Sequence, residues 1–265
     1  MIPIYYDHLQ HHSKLKKIFG WIEIIPYLIK SKFHKLEKFV VVTGADKSHY
    51  KSLQQFLSSL HVHETNITVI VFDLGLVPIQ LSSIKDKHPF VEVRHFDYKK
   101  YPSYFNINLN AGEYAWKPII FHDILHEYKC CVCWMDSGNL ILDKLYWLQQ
   151  IAHQNGMYSP YSWRKIKDLT HKKTLEYMKV SPALLEKRNL NGACVVMCYK
   201  NILARKIASQ WKKCALTKEC IAPQGSNRKN HRQDQSVLSI VAHQSGITAR
   251  MPSLYYGFKI HQDID

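Results

Sequence analysis

Acidic side chains are scarce in this chain: 21 stand against 36 lysines and arginines, for a formal charge of +15 over 265 residues. That excess makes an anionic neighbour the expectation, whether polyanion, anionic surface or diphosphate, without choosing among them. Long apolar runs are missing. The most apolar N-terminal window, 18–29, holds Glu23 and Pro26 and is too short to span a bilayer. No secretory signal is evident either. Glycine-rich phosphate loops are missing as well. Gly44 stands alone where G-x-G-x-x-G would be needed, and there is no G-x-x-x-x-G-K-[ST], which disfavours a dinucleotide-dependent dehydrogenase and a P-loop kinase. The seven cysteines contain no doubled C-x-x-C, so a structural zinc site is not indicated. Cys130, Cys131, Cys133, Cys194 and Cys198 lie in apolar runs and read as small core residues with free thiols, while Cys214 and Cys220 are placed to pair in a loop.

What is present is a globular composition, 46% hydrophobic and 12% aromatic, long enough to bury a large core. Residues 1–38 read as a basic helical appendage. Its lysines on either side of the 18–29 window suit a helix against an anionic membrane surface, although packing on the rest of the chain is the favoured use. From residue 39 onward, strands and helices alternate. A β-branched run, Phe39 to Val42, leads into Thr43, Gly44, Ala45 and Asp46. A helix with Leu53, Phe56, Leu57 and Leu60 on one face follows, then strands near 67–72 and 90–96. Such alternation predicts an α/β fold with a mainly parallel central sheet flanked by helices.

The chain is organised around 114–143. Pro118 falls in the first turn of a predicted helix, where its missing N–H costs nothing. The run Cys130 to Met135 is apolar without alternation, as in a strand covered on both faces. It stops at Asp136-Ser137-Gly138. A carboxylate at the end of a central strand sits where open α/β sheets place their ligand chemistry. The step Trp116-Lys117-Pro118 puts a cation at the start of the preceding helix, near the same sheet edge.

These residues, Tyr114 to Leu125 and Trp134 to Gly138, resemble an animal family of nucleotide-diphospho-sugar transferase-like proteins and, more broadly, the A-type (GT-A) glycosyltransferases. The resemblance implies one GT-A-like domain over 39–265, with a Rossmann-like nucleotide-sugar-binding half (39–143) and an acceptor-binding half (144–265). Those enzymes end the central strand in Asp-x-Asp and hold manganese or magnesium against the donor diphosphate. Here Gly138 replaces the second acid. The resemblance assigns Asp136 to metal and catalysis, and His261, with Asp263 behind it, to the remaining metal ligation. Thr43, Ala45 and Asp46 would meet the base and ribose of a UDP- or GDP-type donor, with Trp116, Lys117, Ser137 and Gly138 near its diphosphate. Asn191 and Gly192 resemble the turn that meets the sugar. His231 to Leu238 resembles an Asp-Gln-x-x-Leu element, which makes Asp234 catalytic; an ordinary helix N-cap is the plainer role. The 222–230 loop, carrying Arg228 and Lys229, reads as the most mobile segment and could close over a diphosphate.

The function expected is sugar transfer from a nucleotide-sugar donor to a glycan or other hydroxyl acceptor, with metal assistance. The alternative is a degenerate transferase fold that binds polyanions or a membrane surface. Nucleic acid is not expected, because the basic residues are scattered and not gathered in a stripe. Compartment stays open. Free thiols and the lack of a signal suit a cytoplasmic, peripheral-membrane or viral setting, and the sequon Asn66-Ile67-Thr68 suits a secretory lumen.

Overall fold

The computed structural model describes residues 38–248 and 257–264, so the basic N-terminal appendage and its membrane contact lie outside the described residues, apart from Lys38. Ten strands are described: β1 (Phe39–Ala45), β2 (Thr68–Asp73), β3 (Val91–His95), β4 (Cys131–Met135), β5 (Leu140–Ile141), β6 (Met157–Tyr158), β7 (Tyr161–Lys165), β8 (Arg188–Leu190), β9 (Cys194–Cys198) and β10 (Phe258–Lys259). The longer helices are α1 (Tyr50–His63), α2 (Pro78–Lys87), α3 (Trp116–Tyr128), α4 (Tyr146–Asn155), α5 (Ile202–Ala215) and α6 (Gln233–Gln244). The main sheet runs β3-β2-β1-β4-β9-β6. Its first four strands are parallel, and β9 runs antiparallel to both β4 and β6. This is the mixed, mainly parallel sheet that the alternating pattern predicts.

Strand pleating sorts the core into two layers. Val40, Val42, Val132, Trp134 and Val195 face one way, against Ile120, Phe121 and Ile124 of α3, Ile207 and Trp211 of α5, and Val237 and Val241 of α6. Val41, Val69, Val71, Met135 and Val196 face the other way, against α1 and α4. On α1, Leu53, Phe56, Leu57 and Leu60 are fully buried. Each such side chain contributes about 1.5–3 kcal/mol by leaving water.

Two cysteine readings need correction or extension. Cys131 and Cys198 are not free core thiols but form a disulfide. They stand opposite each other in the β4–β9 ladder, and because β9 is antiparallel a separation of 67 residues collapses to neighbours. A loop of that length makes the crosslink worth about 4 kcal/mol on chain-entropy grounds. Cys214 and Cys220 pair as their proximity suggests. Cys130, Cys133 and Cys194 are buried and take part in no disulfide.

The strand order also places the site. The chain lays down β1, β2 and β3 in one direction, then returns to put β4 on the other side of β1. Helices therefore diverge between β1 and β4, and the crevice at the carboxyl ends of these two strands is the ligand position of such sheets. Asp46 follows β1 and Asp136 follows β4.

Candidate active site

Strand alternation explains why Asp136 meets Lys117. Trp134 and Asp136 lie two residues apart and point to the α3 side of the sheet. Trp134 Nε1 donates to Asp136 Oδ1 at 2.7 Å, and Lys117 Nζ, from the first turn of α3, donates to the same oxygen at 2.8 Å. Lys117 Nζ also donates to the Gly192 carbonyl at 3.2 Å and lies 3.2 Å from Asp234 Oδ2. That last contact is an ion pair without hydrogen-bond alignment, so Asp234 Oδ2 has no hydrogen-bond partner.

Lys117 and Asp234 are each 3% exposed, whereas the Asp136 side chain is 38% exposed. Burial works to strip the charge from Lys117, but Asp136 and Asp234 outweigh it and hold its pKa above the ordinary value. Burial pushes the Asp234 carboxyl up, Lys117 pulls it down and Asp136 adds to the rise; the net direction is upward. One buried cation thus ties together two acids 98 positions apart in the chain.

Asp234 is not the helix cap. α6 begins at Gln233, and its N-cap residue is Arg232, without a side-chain cap. Asp234 sits inside the first turn, where the helix dipole favours a carboxylate, and its carbonyl accepts from Trp211 Nε1 at 2.9 Å. Gly192 lies close opposite it: a Cβ there would come within 3.2 Å of Asp234 Oδ2, tighter than an ordinary contact.

The 222–230 loop is tied internally. Asn227 N–H donates to Asn230 Oδ1 at 2.8 Å, and Asn230 Nδ2 donates to the Gly225 carbonyl at 3.1 Å. Its anchor is the buried His231, whose Nε2 donates to the Ile221 carbonyl at 2.9 Å while Nδ1 accepts from the His171 N–H at 3.3 Å. This neutral tautomer leaves no room for a second proton. Burial, with a smaller push from His171, lowers the His231 pKa to about 4 against the Ile221 carbonyl's pull upward. Unfolded histidine takes its proton near 6.5, so the stabilisation is complete above that pH and is lost as pH falls from about 6.5 to about 4, amounting to about 3 kcal/mol. Urea unfolding at pH 7.5 and 4.5 should show it, and His231→Gln should be less acid-sensitive by that amount. Equal acid sensitivity in the two proteins would refute the assignment.

Two adjoining cavities of about 220 and 200 Å³ open at the crevice, and Tyr114, Asp136, Arg228 and His261 line both. Gly44, Ala45, Asp46, Trp116, Ser137, Gly138 and Asp263 line the smaller one, on the β1 side. Lys117, Asn191, Gly192, Asp234, Arg164 and Arg232 line the larger. Thr43 is not brought to either: it is fully buried, since strand alternation turns it toward the α1 layer. Asp46 Oδ1 is committed to the turn after β1, accepting from Ser48 N–H at 2.9 Å and His49 N–H at 3.1 Å. Asn191 Oδ1 likewise accepts from the Ala193 N–H at 3.1 Å, shaping the turn into β9.

Tyr114, Arg164 and Arg232 carry no role on sequence grounds, yet all three line the larger cavity. The signal for Tyr114 is conformational. Residues 110–114 all have φ between 50° and 61°, a left-handed turn that only Gly112 adopts freely. Trp116 Nε1 donates to the Ala111 carbonyl at 3.1 Å and Gln233 Nε2 to Glu113 at 3.1 Å, holding the turn so that Tyr114 stands between the cavities. No composition or periodicity signal reveals such a turn.

The metal ligands expected, Asp136 and His261, both face the crevice. Gly138 explains the missing second acid: a Cβ at that position would fall 2.1 Å from Asp263 Oδ1, so the Asp263 carboxylate lies where a side chain at 138 would begin. Oxygen and imidazole donors of this kind suit manganese. Among the described residues, however, no three His, Cys, Asp or Glu side chains are grouped closely enough to hold an ion.

Solved structures share this architecture. LgtC, a galactosyltransferase crystallised with donor and acceptor sugar analogs, superposes with a TM-score of 0.53 at 14% identity, over 81% of this chain and 73% of LgtC. Core-mannan synthase A (CmsA/Ktr4) from Aspergillus fumigatus, in its Mn/GDP form, gives 0.55 at 8% identity, over 82% of this chain and 72% of that one. The fold is that of the A-type glycosyltransferases. The bifunctional glycosyltransferase WbbM also shares the GT-A fold, with a TM-score of 0.53 at 13% identity; 80% of this chain is covered, spanning 38% of WbbM. By sequence, residues 9–122 match a family described as a protein of unknown function (DUF1647). No curated protein sequence matches.

Proposed function

We propose that the protein is a glycosyltransferase that moves a sugar from a UDP- or GDP-type donor to a hydroxyl of a glycan acceptor. The observation that carries this reading is the Lys117-bridged acid pair, Asp136 and Asp234, in the wall of the larger cavity at the switch point of a GT-A sheet. The nucleoside would lie against Gly44, Ala45 and Asp46. Its diphosphate would reach the wall common to both cavities, and the sugar would enter the larger one beside Asn191, Gly192 and Asp234. Asp234 Oδ2, buried and without a hydrogen-bond partner, is the acceptor for a sugar hydroxyl. Lys117 pulls it toward its charged form against burial and fixes its direction. Arg228, over the Tyr114 ring at 4.5 Å, offsets charge on the departing diphosphate. Asp136 and His261 would offer a divalent ion two protein donors, with diphosphate oxygens completing its shell, and when bound it supplies positive charge to the leaving group.

Thermal unfolding against a panel of nucleoside diphosphates and nucleotide-sugars, with and without manganese, tests this. One nucleotide at about a hundred times its dissociation constant should add about 2.7 kcal/mol of stability. Manganese should deepen that shift in the natural protein but not in Asp136→Ala. A nucleotide shift indifferent to manganese removes the ion from the mechanism. No shift across the panel removes the transferase reading.

We further propose the lumen of the secretory pathway, the alternative to a cytoplasmic or peripheral-membrane setting, with support from the two disulfides and from Asn66, exposed between α1 and β2. Protein recovered from cells and denatured without reductant should label at three thiols, Cys130, Cys133 and Cys194. Labelling at all seven cysteines would point to a reducing compartment.

A further inference from the structure

Charge pairing around the larger cavity is incomplete. Arg94, on the edge strand β3, shows what full pairing looks like: it donates to both carboxylate oxygens of Glu127, at 2.6 and 2.8 Å. In the cavity wall three guanidinium groups, Arg164, Arg228 and Arg232, stand without such a partner. Arg164 Nε lies 3.9 Å from Asp168, the nearest carboxylate recorded for any of the three. Arg228 rests on Tyr114 and reaches Gln233 Oε1 at 3.4 Å. The half-buried Arg232 guanidinium makes no hydrogen bond or ion pair with any described residue. The acids that could serve them, Asp136 and Asp234, are spent on Lys117. Burial, and then the charge of Arg228, makes it costly for Arg232 to hold its proton.

A donor diphosphate would account for Arg228, which faces both cavities. It leaves Arg164 and Arg232, which line the larger cavity alone, on the side away from the β1 turn. The two are held together by backbone. Arg232 N–H donates to the Leu169 carbonyl at 2.9 Å, and Ser236 Oγ donates to the same carbonyl at 2.5 Å, docking the segment that follows β7 onto the start of α6. A planar guanidinium matches a carboxylate or sulfate through two parallel N–H···O bonds. We propose that Arg164 and Arg232 select an anionic sugar, one carrying a carboxylate or sulfate, in the larger cavity. This rests on the transferase reading and names the substrate class of its sugar side.

The test titrates the full-length protein with methyl glucuronide and with methyl glucoside, with and without the nucleotide found by the panel. It also compares the glucuronic acid and glucose forms of the nucleotide-sugar. The acidic sugar should bind about tenfold more tightly than the neutral one, and the double variant Arg164→Gln, Arg232→Gln should lose that preference. Nucleotide affinity should be unchanged in the variant, and its melting temperature, checked in parallel, should match the natural protein because neither side chain holds another in place. Preference seen with the methyl glycosides identifies the acceptor as the acidic partner; preference seen only in the nucleotide-sugar identifies the donor. Equal binding of acidic and neutral sugars in both formats overturns the proposal, as does a variant that weakens nucleotide binding, which would assign both arginines to the diphosphate. Failure of every nucleotide to bind would instead sink the transferase reading, and the acid preference would still be read on the nucleotide-free protein.

Discussion

Replacing Lys117 with methionine is expected to cost about 3–5 kcal/mol of stability at pH 7 and to abolish sugar transfer. Methionine fills much the same space, so the loss comes from charge. Asp234 is 3% exposed and would be left without its counter-ion, facing Asp136 across the gap that Nζ now occupies. Its carboxyl, already pushed up by burial, would rise further without the pull of Lys117. A carboxyl whose folded pKa lies above its unfolded value destabilises the fold as pH rises from about 4 through the folded value. The deficit of the variant should therefore shrink as pH falls toward 4, where protonated Asp234 needs no counter-charge. Adding Asp234→Asn to Lys117→Met should recover most of the stability and none of the activity. Urea unfolding at pH 7 and pH 4.5 measures both effects, and a loss below about 1 kcal/mol at pH 7 would show that Lys117 and its two acids are not a coupled unit.

Asp136→Asn separates chemistry from folding at the same place. Asparagine keeps an oxygen to accept from Trp134 Nε1 and Lys117 Nζ, and the side chain is partly exposed, so the fold should lose only about 1 kcal/mol. The negative charge that Asp136 presents to both cavities is gone, and with it the carboxylate proposed to meet the ion. Release of nucleoside diphosphate from the donor found in the panel should fall about a thousandfold or more in kcat/KM. A variant with full activity would remove Asp136 from the mechanism and with it the parallel to Asp-x-Asp. A variant that is inactive because it is unfolded would be recognised from its circular dichroism, and the Asp234 side of the Lys117 bridge would then carry the test.

Much of the fold was legible because local physics decided it. The β-branched run at 39–42, the helical spacing of Leu53, Phe56, Leu57 and Leu60, and the unalternating run before Asp136 each need only periodicity and burial to be read. Lys117 near Asp136 was legible for the same reason: a helix feeding a parallel strand returns its start to the strand's far end. Thr43 was misplaced because β1 is covered on both faces, and its sequence does not say which residues of the run face the crevice. The Cys131–Cys198 bond went unread because it depends on β9 running antiparallel to β4, a choice made by the long connection between them.

The sequence by itself determined the alternating elements, the carboxylate ending the central strand, the cation that opens α3 and the excess of positive charge. Tertiary structure alone decided which of these groups meet. Asp136, Asp234 and Lys117 are brought onto one nitrogen from three separate elements, Asp263 comes to lie against Gly138, and Arg164 and Arg232 reach one cavity wall from 68 positions apart. Periodicity carries information over a turn or a pleat, whereas these contacts are set by strand order and by the packing of α3 and α6 on one face of the sheet.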